Sequence, residues 1–223
     1  MRLTHAALPL ALIGAGAGTG FAILASRVKS HDTRYVDGRV RRQFPKRQRR
    51  SVRAAANAIG PLGKWWGQMP VAAATAAVVY RNGGPRAAAA ISGASAAAAS
   101  LAWLLEQTMT PRKPPPGRHS PTEPAFPSGH ALQSSAVALS IAYVLTREGM
   151  TAPAVAFPVA AAVSVASGLA KLYTDGHWFT DVMGGYLLGT TLAATAAVGY
   201  ELGRPKRGPR ALGLRRLARA MPR

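Results

Sequence analysis

Cysteine is absent from the 223 residues, and Asp and Glu together number only 8. The first absence removes disulfides and thiolate metal sites and leaves the redox compartment unread. The second, against 28 Lys plus Arg, leaves a net charge of +20, which suits lipid headgroups or nucleic acid. Nucleic acid is the poorer fit, because no aromatic residues interleave with the basic ones as stacking platforms. Charge is also scarce within six runs, roughly 3–25, 62–80, 87–105, 130–146, 152–170 and 182–200. Most are near the ~20 residues that cross a bilayer. A soluble bundle with an Ala-rich core would show charges every third or fourth residue along its outer faces. The runs therefore predict an all-α, polytopic membrane helix bundle of about six transmembrane helices.

What is present fits that architecture. Apolar residues make up 48% while mean hydropathy is only +0.07, so apolar runs alternate with basic connectors. Small residues dominate "GAGAGTG" at 14–20 and "AAAAISGASAAAAS" at 87–100, surfaces that let membrane helices approach closely. Lys64 beside Trp65 and Trp66 reads as an interfacial anchor. Pro153 and Pro158 are tolerable in a membrane helix. The first run is longer than a signal-peptide core and contains His5, which favours a retained span over a cleaved leader. The domain expectation is one membrane domain over 1–203, with a basic amphipathic loop at 26–61, and a basic tail at 204–223. Residues 27–64 hold twelve basic side chains and the tail holds eight. They either grip anionic lipid or serve as topology signals and solvated faces.

Alternation of spans places the loops 106–129 and 171–180 on one membrane face. Those loops collect Glu106, Arg112, Lys113, Arg118, His119, Glu123, Ser128, His130, Lys171, Asp175, His177 and Asp181 at or beside their ends. Ionisable groups gathered where helices converge are candidates for function. "PSGH" at 127–130 breaks the chain and then enters a helix, so Ser128 and the free amides beside it form an anion cradle. His177 and Asp181 stand at i and i+4, on one face if a helix starts there. A carboxylate behind an imidazole sets its tautomer and raises its basicity. No cluster of three His or carboxylate groups at familiar metal spacing is evident. The parts suit a phosphoryl-transfer site that needs no metal or cofactor.

These residues resemble the type 2 phosphatidic acid phosphatase superfamily, which also includes vanadium haloperoxidases. Its pattern is K-x6-R-P, then P-S-G-H, then S-R-x5-H-x3-D. "PSGH" is intact at 127–130, and "AKLYTDGHWFTD" at 170–181 carries His177 and Asp181 at the required spacing. "EQTMTPRKP" at 106–114 aligns with the first element. Three positions depart. Glu106 stands for Lys, Lys113 for Arg, and "AK" at 170–171 for Ser-Arg. Lys offers a point charge where Arg offers a planar fork, and Glu106 repels phosphate unless paired, with Arg112 or Lys113 as the nearest candidates in sequence. The contacts of the departed residues could instead fall to Arg112, Arg118 or His119.

The resemblance implies a membrane enzyme that hydrolyses a lipid phosphate or diphosphate, of polyprenyl or phosphatidate type. His177 is then the nucleophile, Asp181 its support and His130 the general acid and base. Lys113, Ser128, Gly129 and Lys171 bind the phosphate. It also implies a multi-pass cell-membrane protein with the site on the outer face. Two other readings share these residues: a degenerate relative that only binds lipid phosphate or a partner, and a lipid phosphotransferase. The soluble haloperoxidase branch fits poorly.

Overall fold

In the computed structural model, which describes residues 6–44, 49–109, 112–115 and 125–204, the regular structure is entirely helical. In chain order it comprises α1 (Ala7–Lys29), α2 (Arg34–Arg41), α3 (Arg50–Ile59), a 3₁₀ turn (Gly60–Gly63), α4 (Trp65–Gly83), α5 (Pro85–Thr108), α6 (Gly129–Arg147), α7 (Pro153–Tyr173) and α8 (Phe179–Gly203). The helix boundaries follow local chemistry. Pro opens α5 and α7 at their first positions, where the missing N–H costs nothing. The six charge-poor runs coincide with α1, α4, α5, α6, α7 and α8. By length and composition, four of these, α1, α5, α7 and α8, can cross a membrane. The helix α6 falls outside that set because it carries Gln133, Ser134, Ser135 and Ser140, all of them buried. It packs against α4, α5, α7 and α8. A helix shielded by neighbours on several sides does not need an apolar surface.

Glycine governs the tightest contact. A β-carbon on Gly185 would lie 2.5 Å from the Ser128 carbonyl oxygen, and one on Gly189 would lie 1.9 Å from Ser135 Oγ. Only a bare Cα lets α8 press against α6 at this distance. The small-residue face of α1 packs on α8 in the same manner, with the Gly14 position 3.2 Å from Ala194 Cβ. Large apolar side chains point outward instead: Leu12, Trp103 and Val159 are 65%, 63% and 57% exposed. This inside-out distribution suits hydrocarbon as the surrounding medium and excludes the soluble Ala-core bundle.

The basic first loop is folded onto the bundle. The short helix α2 packs against α8, and α3 packs against α7 and the 3₁₀ turn, which in turn rests on α6. Arg41 Nε donates to Asp175 Oδ1 at 3.0 Å, and the Arg49 amide donates to Tyr173 Oη at 2.9 Å. The loop therefore covers the end of the bundle where α7 stops and α6 and α8 begin. The basic tail from 205 onward lies outside the described residues.

Candidate active site

The start of α6 is set by Ser128, whose Oγ accepts from the Ala131 amide at 3.4 Å as the helix N-cap. The Ser128 amide donates to the Asp181 carbonyl at 2.9 Å, tying this turn to the start of α8. Ser128 is fully buried, so its hydroxyl caps the helix and does not open onto the cavity described below. His130 follows on the first turn. Gly63 of the 3₁₀ turn abuts it so closely that a β-carbon there would lie 2.6 Å from His130 Cβ and 2.7 Å from Ser167 Oγ. The Ser167 hydroxyl is buried with no hydrogen-bond partner among the described residues.

His177 lies in the turn between α7 and α8, two residues before α8 begins. Its Nδ1 is 2.8 Å from the Ala125 carbonyl oxygen. A carbonyl only accepts, so Nδ1 carries the proton and Nε2 keeps its lone pair. Asp181 Oδ2 is 3.9 Å from the same Nδ1. The carboxylate sits behind the ring, but the backbone carbonyl makes the orienting hydrogen bond. The i, i+4 expectation is thereby corrected: α8 starts at Phe179, after His177, so the two residues do not share a helix face. Instead, Asp181 Oδ2 accepts from the Trp178 amide at 2.7 Å and caps α8. Burial lowers His177 from 6.5 to about 4; the Ala125 hydrogen bond opposes this, and the charges of Lys171 and Arg112 reinforce it. The ring is neutral at pH 7, as a nucleophile requires.

The rings of His130 and His177 are 6.3 Å apart between centroids, inclined at 61°. Near-attack contacts run to ~3–3.5 Å, so this spacing lets one phosphoryl group be gripped from both sides. The two rings line a cavity of about 290 Å³ with Gly63, Lys64, Glu106, Gly129 and Gln133.

Behind His177 lies a buried ionic network. Arg112 donates through Nη1 to Asp181 Oδ1 and, at 3.0 Å, to Thr180 Oγ1, and through Nη2 to Asp37 Oδ2 at 2.6 Å. Asp37 also accepts from the Thr180 amide and hydroxyl, each at 2.9 Å. Asp37 and Asp181 are 1% and 0% exposed. The guanidinium stands 5.8 Å from the centre of the Trp178 ring, whose Nε1 donates to the Lys113 carbonyl at 2.9 Å. One cation thus joins α2, the 112–115 segment and α8.

The other expected residues fall into distinct places. Gly129 and Glu106 line the cavity. The Glu106 carboxylate faces the α6 N-terminus, 3.6 Å from where a β-carbon on Gly129 would be, and helix amides favour negative charge there. Arg112 is held by Asp37, Asp181 and Thr180, behind His177, and does not line the cavity. Lys113 is exposed and absent from the cavity lining. Lys171 lies in the last turn of α7, near enough to His177 for its charge to act on the ring. Arg118 and His119 lie outside the described residues. Two residues escaped the motif reading, Asp37 and Lys64. The signal was available: the loop 27–64 falls on the same face as the site by the same alternation of spans.

The PAP2 superfamily model matches residues 100–202. No curated protein matches the sequence. The crystal structure of a transmembrane PAP2-type phosphatidylglycerolphosphate phosphatase from Bacillus subtilis is similar with a TM-score of 0.79 at 20% identity, over 87% of this chain and 99% of that one. The fold is that of a membrane PAP2-type phosphatase, and the protein is a multi-pass membrane protein. The matched residues 100–202 contain both cavity histidines, so the similarity to the PAP2 superfamily falls on the site itself.

Proposed function

We propose that the protein hydrolyses the terminal phosphate of a membrane lipid through a phosphohistidine. The observation that carries this reading is the pair of imidazoles 6.3 Å apart across one cavity, one of them with its Nε2 lone pair free. His177 Nε2 attacks phosphorus and forms the P–N bond as the P–O bond to the lipid breaks. His130 gives its proton to the departing oxygen, a contribution of ~10²–10⁴-fold. Water then attacks the phosphohistidine, His130 takes a proton from it, and phosphate leaves. Asp181, held by Arg112, stabilises the ring charge that develops on His177.

A lipid substrate is supported by the space beside the site. An apolar cavity of about 370 Å³ lies between α4, α6 and α7, lined by Leu62, Gln68, Val71, Ser134, Val137 and Val159 among others. The 62–68 segment borders both cavities, and Gln133 and Ser134 are consecutive members of the two linings. A hydrocarbon chain lying there places its phosphate at the histidines. Polyprenyl and phosphatidate chains both suit such a groove. The family resemblance favours the outer membrane face for the site, with the N- and C-termini cytoplasmic; the positive-inside rule does not choose, because the basic loop 27–64 and the basic tail lie on opposite faces.

The test is phosphate release by the purified protein from polyprenyl diphosphate, polyprenyl phosphate, phosphatidate and phosphatidylglycerol phosphate. Vanadate-sensitive release from at least one is expected. A protein that binds these lipids and releases nothing from any of them is the degenerate binder instead. Transfer of phosphate to a sugar-lipid acceptor in preference to water identifies a phosphotransferase.

A further inference from the structure

Glu106 stands where the family pattern has a lysine, so the site lacks a cation at that position. Among the described residues, Lys171 acts on both histidines by its charge from the last turn of α7 but does not line the cavity. Arg112 is committed to Asp37 and Asp181, and Lys113 is exposed and off the cavity. Lys64 lines the cavity beside both histidines and is half-buried. It takes part in no salt bridge among the described residues.

The backbone around Lys64 is held firmly. Its amide donates to the Pro61 carbonyl at 3.1 Å, and its carbonyl accepts from the Gly67 and Gln68 amides, both at 3.0 Å. The Gln68 side chain reaches back to the Leu62 carbonyl. The preceding Gly63 is wedged against His130, where no side chain fits. Lys64 is therefore delivered to the cavity by a turn whose position is fixed relative to the general acid. A half-buried ammonium with no carboxylate partner among the described residues, lining one cavity with two imidazoles, favours an anion there.

We propose that Lys64 binds the non-bridging oxygens of the substrate's terminal phosphoryl group, supplying from the first loop the positive charge that Glu106 removes from the motif position. This rests on the reading of the cavity as a phosphoryl-transfer site, and it assigns a binding role to a residue outside all three motif segments.

The experiment uses the full chain in detergent, with dioleoyl phosphatidate and the other lipids above as substrates and orthovanadate as the binding probe. Lys64→Ala is expected to lower kcat/KM by ~10²–10³-fold, the usual effect of losing one preorganised donor to a developing oxyanion. Its vanadate affinity is expected to fall with it. Lys64→Arg, which keeps the charge, recovers a large part of both. Lys64→Met, which keeps the stem, does not, so packing and charge are separated. Glu106→Lys placed in the Lys64→Ala background restores vanadate binding, because the cation returns to the cavity from the other side. Equal vanadate affinity in wild type and Lys64→Ala overturns the assignment, as does recovery by Met. Wild-type protein that binds vanadate but turns over no lipid sinks the hydrolase reading, and the vanadate comparison then still decides the role of Lys64.

Discussion

The two ends of the α6–α8 pair are built on the same device and finish differently. At the far end Glu201, 4% exposed, accepts from Arg147 Nε at 2.6 Å, from Arg147 Nη2 at 3.1 Å and from Tyr143 Oη at 2.8 Å. Arg204 lies 3.7 Å from it, and Tyr200 bonds Glu148 alongside. Among the described residues, Arg147, Arg204, Tyr143 and Tyr200 each meet a carboxylate there. At the near end Arg112 likewise serves two buried acids, but the network stops at His177. Beyond it His130, Lys64 and Glu106 line an open cavity with the His177 ring. A latch satisfies its polar groups, whereas a site holds some ready for a molecule that comes and goes.

Breaking each end in turn sharpens that contrast. His177→Ala gives the largest effect: lipid phosphate release falls by ~10⁴–10⁶-fold, the range for loss of a covalent nucleophile, while the detergent melting temperature stays near wild type. Retained turnover removes the proposed chemistry. Arg112→Met strikes the shared device at the site end. It leaves Asp37 and Asp181 buried together without their cation and costs about 3–5 kcal/mol of stability, read as a lower melting temperature, with activity lost as well. Glu201→Gln strikes the latch. It keeps the shape and loses the charge on the Arg147 partner, costing about 1–3 kcal/mol, with phosphate release per folded molecule unchanged. An activity loss there beyond the loss of folded protein shows that the two ends are coupled.

The smallest effect concerns pH. In the proposed mechanism His177 attacks in its neutral form, and it loses that form only as pH falls through about 4, well below the 6.5 of an ordinary imidazole. The acid limb of kcat/KM due to this residue therefore lies near 4. Lowering the pH from 7 to 5 leaves the nucleophile intact. A limb near 6.5 means that water reaches the ring freely and burial does not hold it neutral.

Much of this was legible in the chain. Runs without charge mark the long helices because hydrocarbon penalises charge wherever a helix faces it. Small residues mark close helix contacts because they alone fit. "PSGH" and the H-x3-D spacing mark the two histidines, since a helix N-terminus and a following turn place them locally. The roles of Ser128, Lys113 and Arg112 were not legible. Each depends on what lies across the bundle: an N-cap turned inward, an exposed side chain whose carbonyl holds Trp178, and a guanidinium drawn to Asp37 seventy-five positions earlier in the chain.

By itself the sequence determined an all-helical membrane bundle and brought the two histidines to one face, because local propensity and the alternation of apolar runs require no partner to act. Tertiary structure alone decided that a backbone carbonyl, more than Asp181, orients His177, that Arg112 braces the site from behind, and that Lys64 reaches the cavity. Those outcomes depend on distances between segments far apart in the chain, and such distances exist only once Gly185 and Gly189 have let α8 close onto α6.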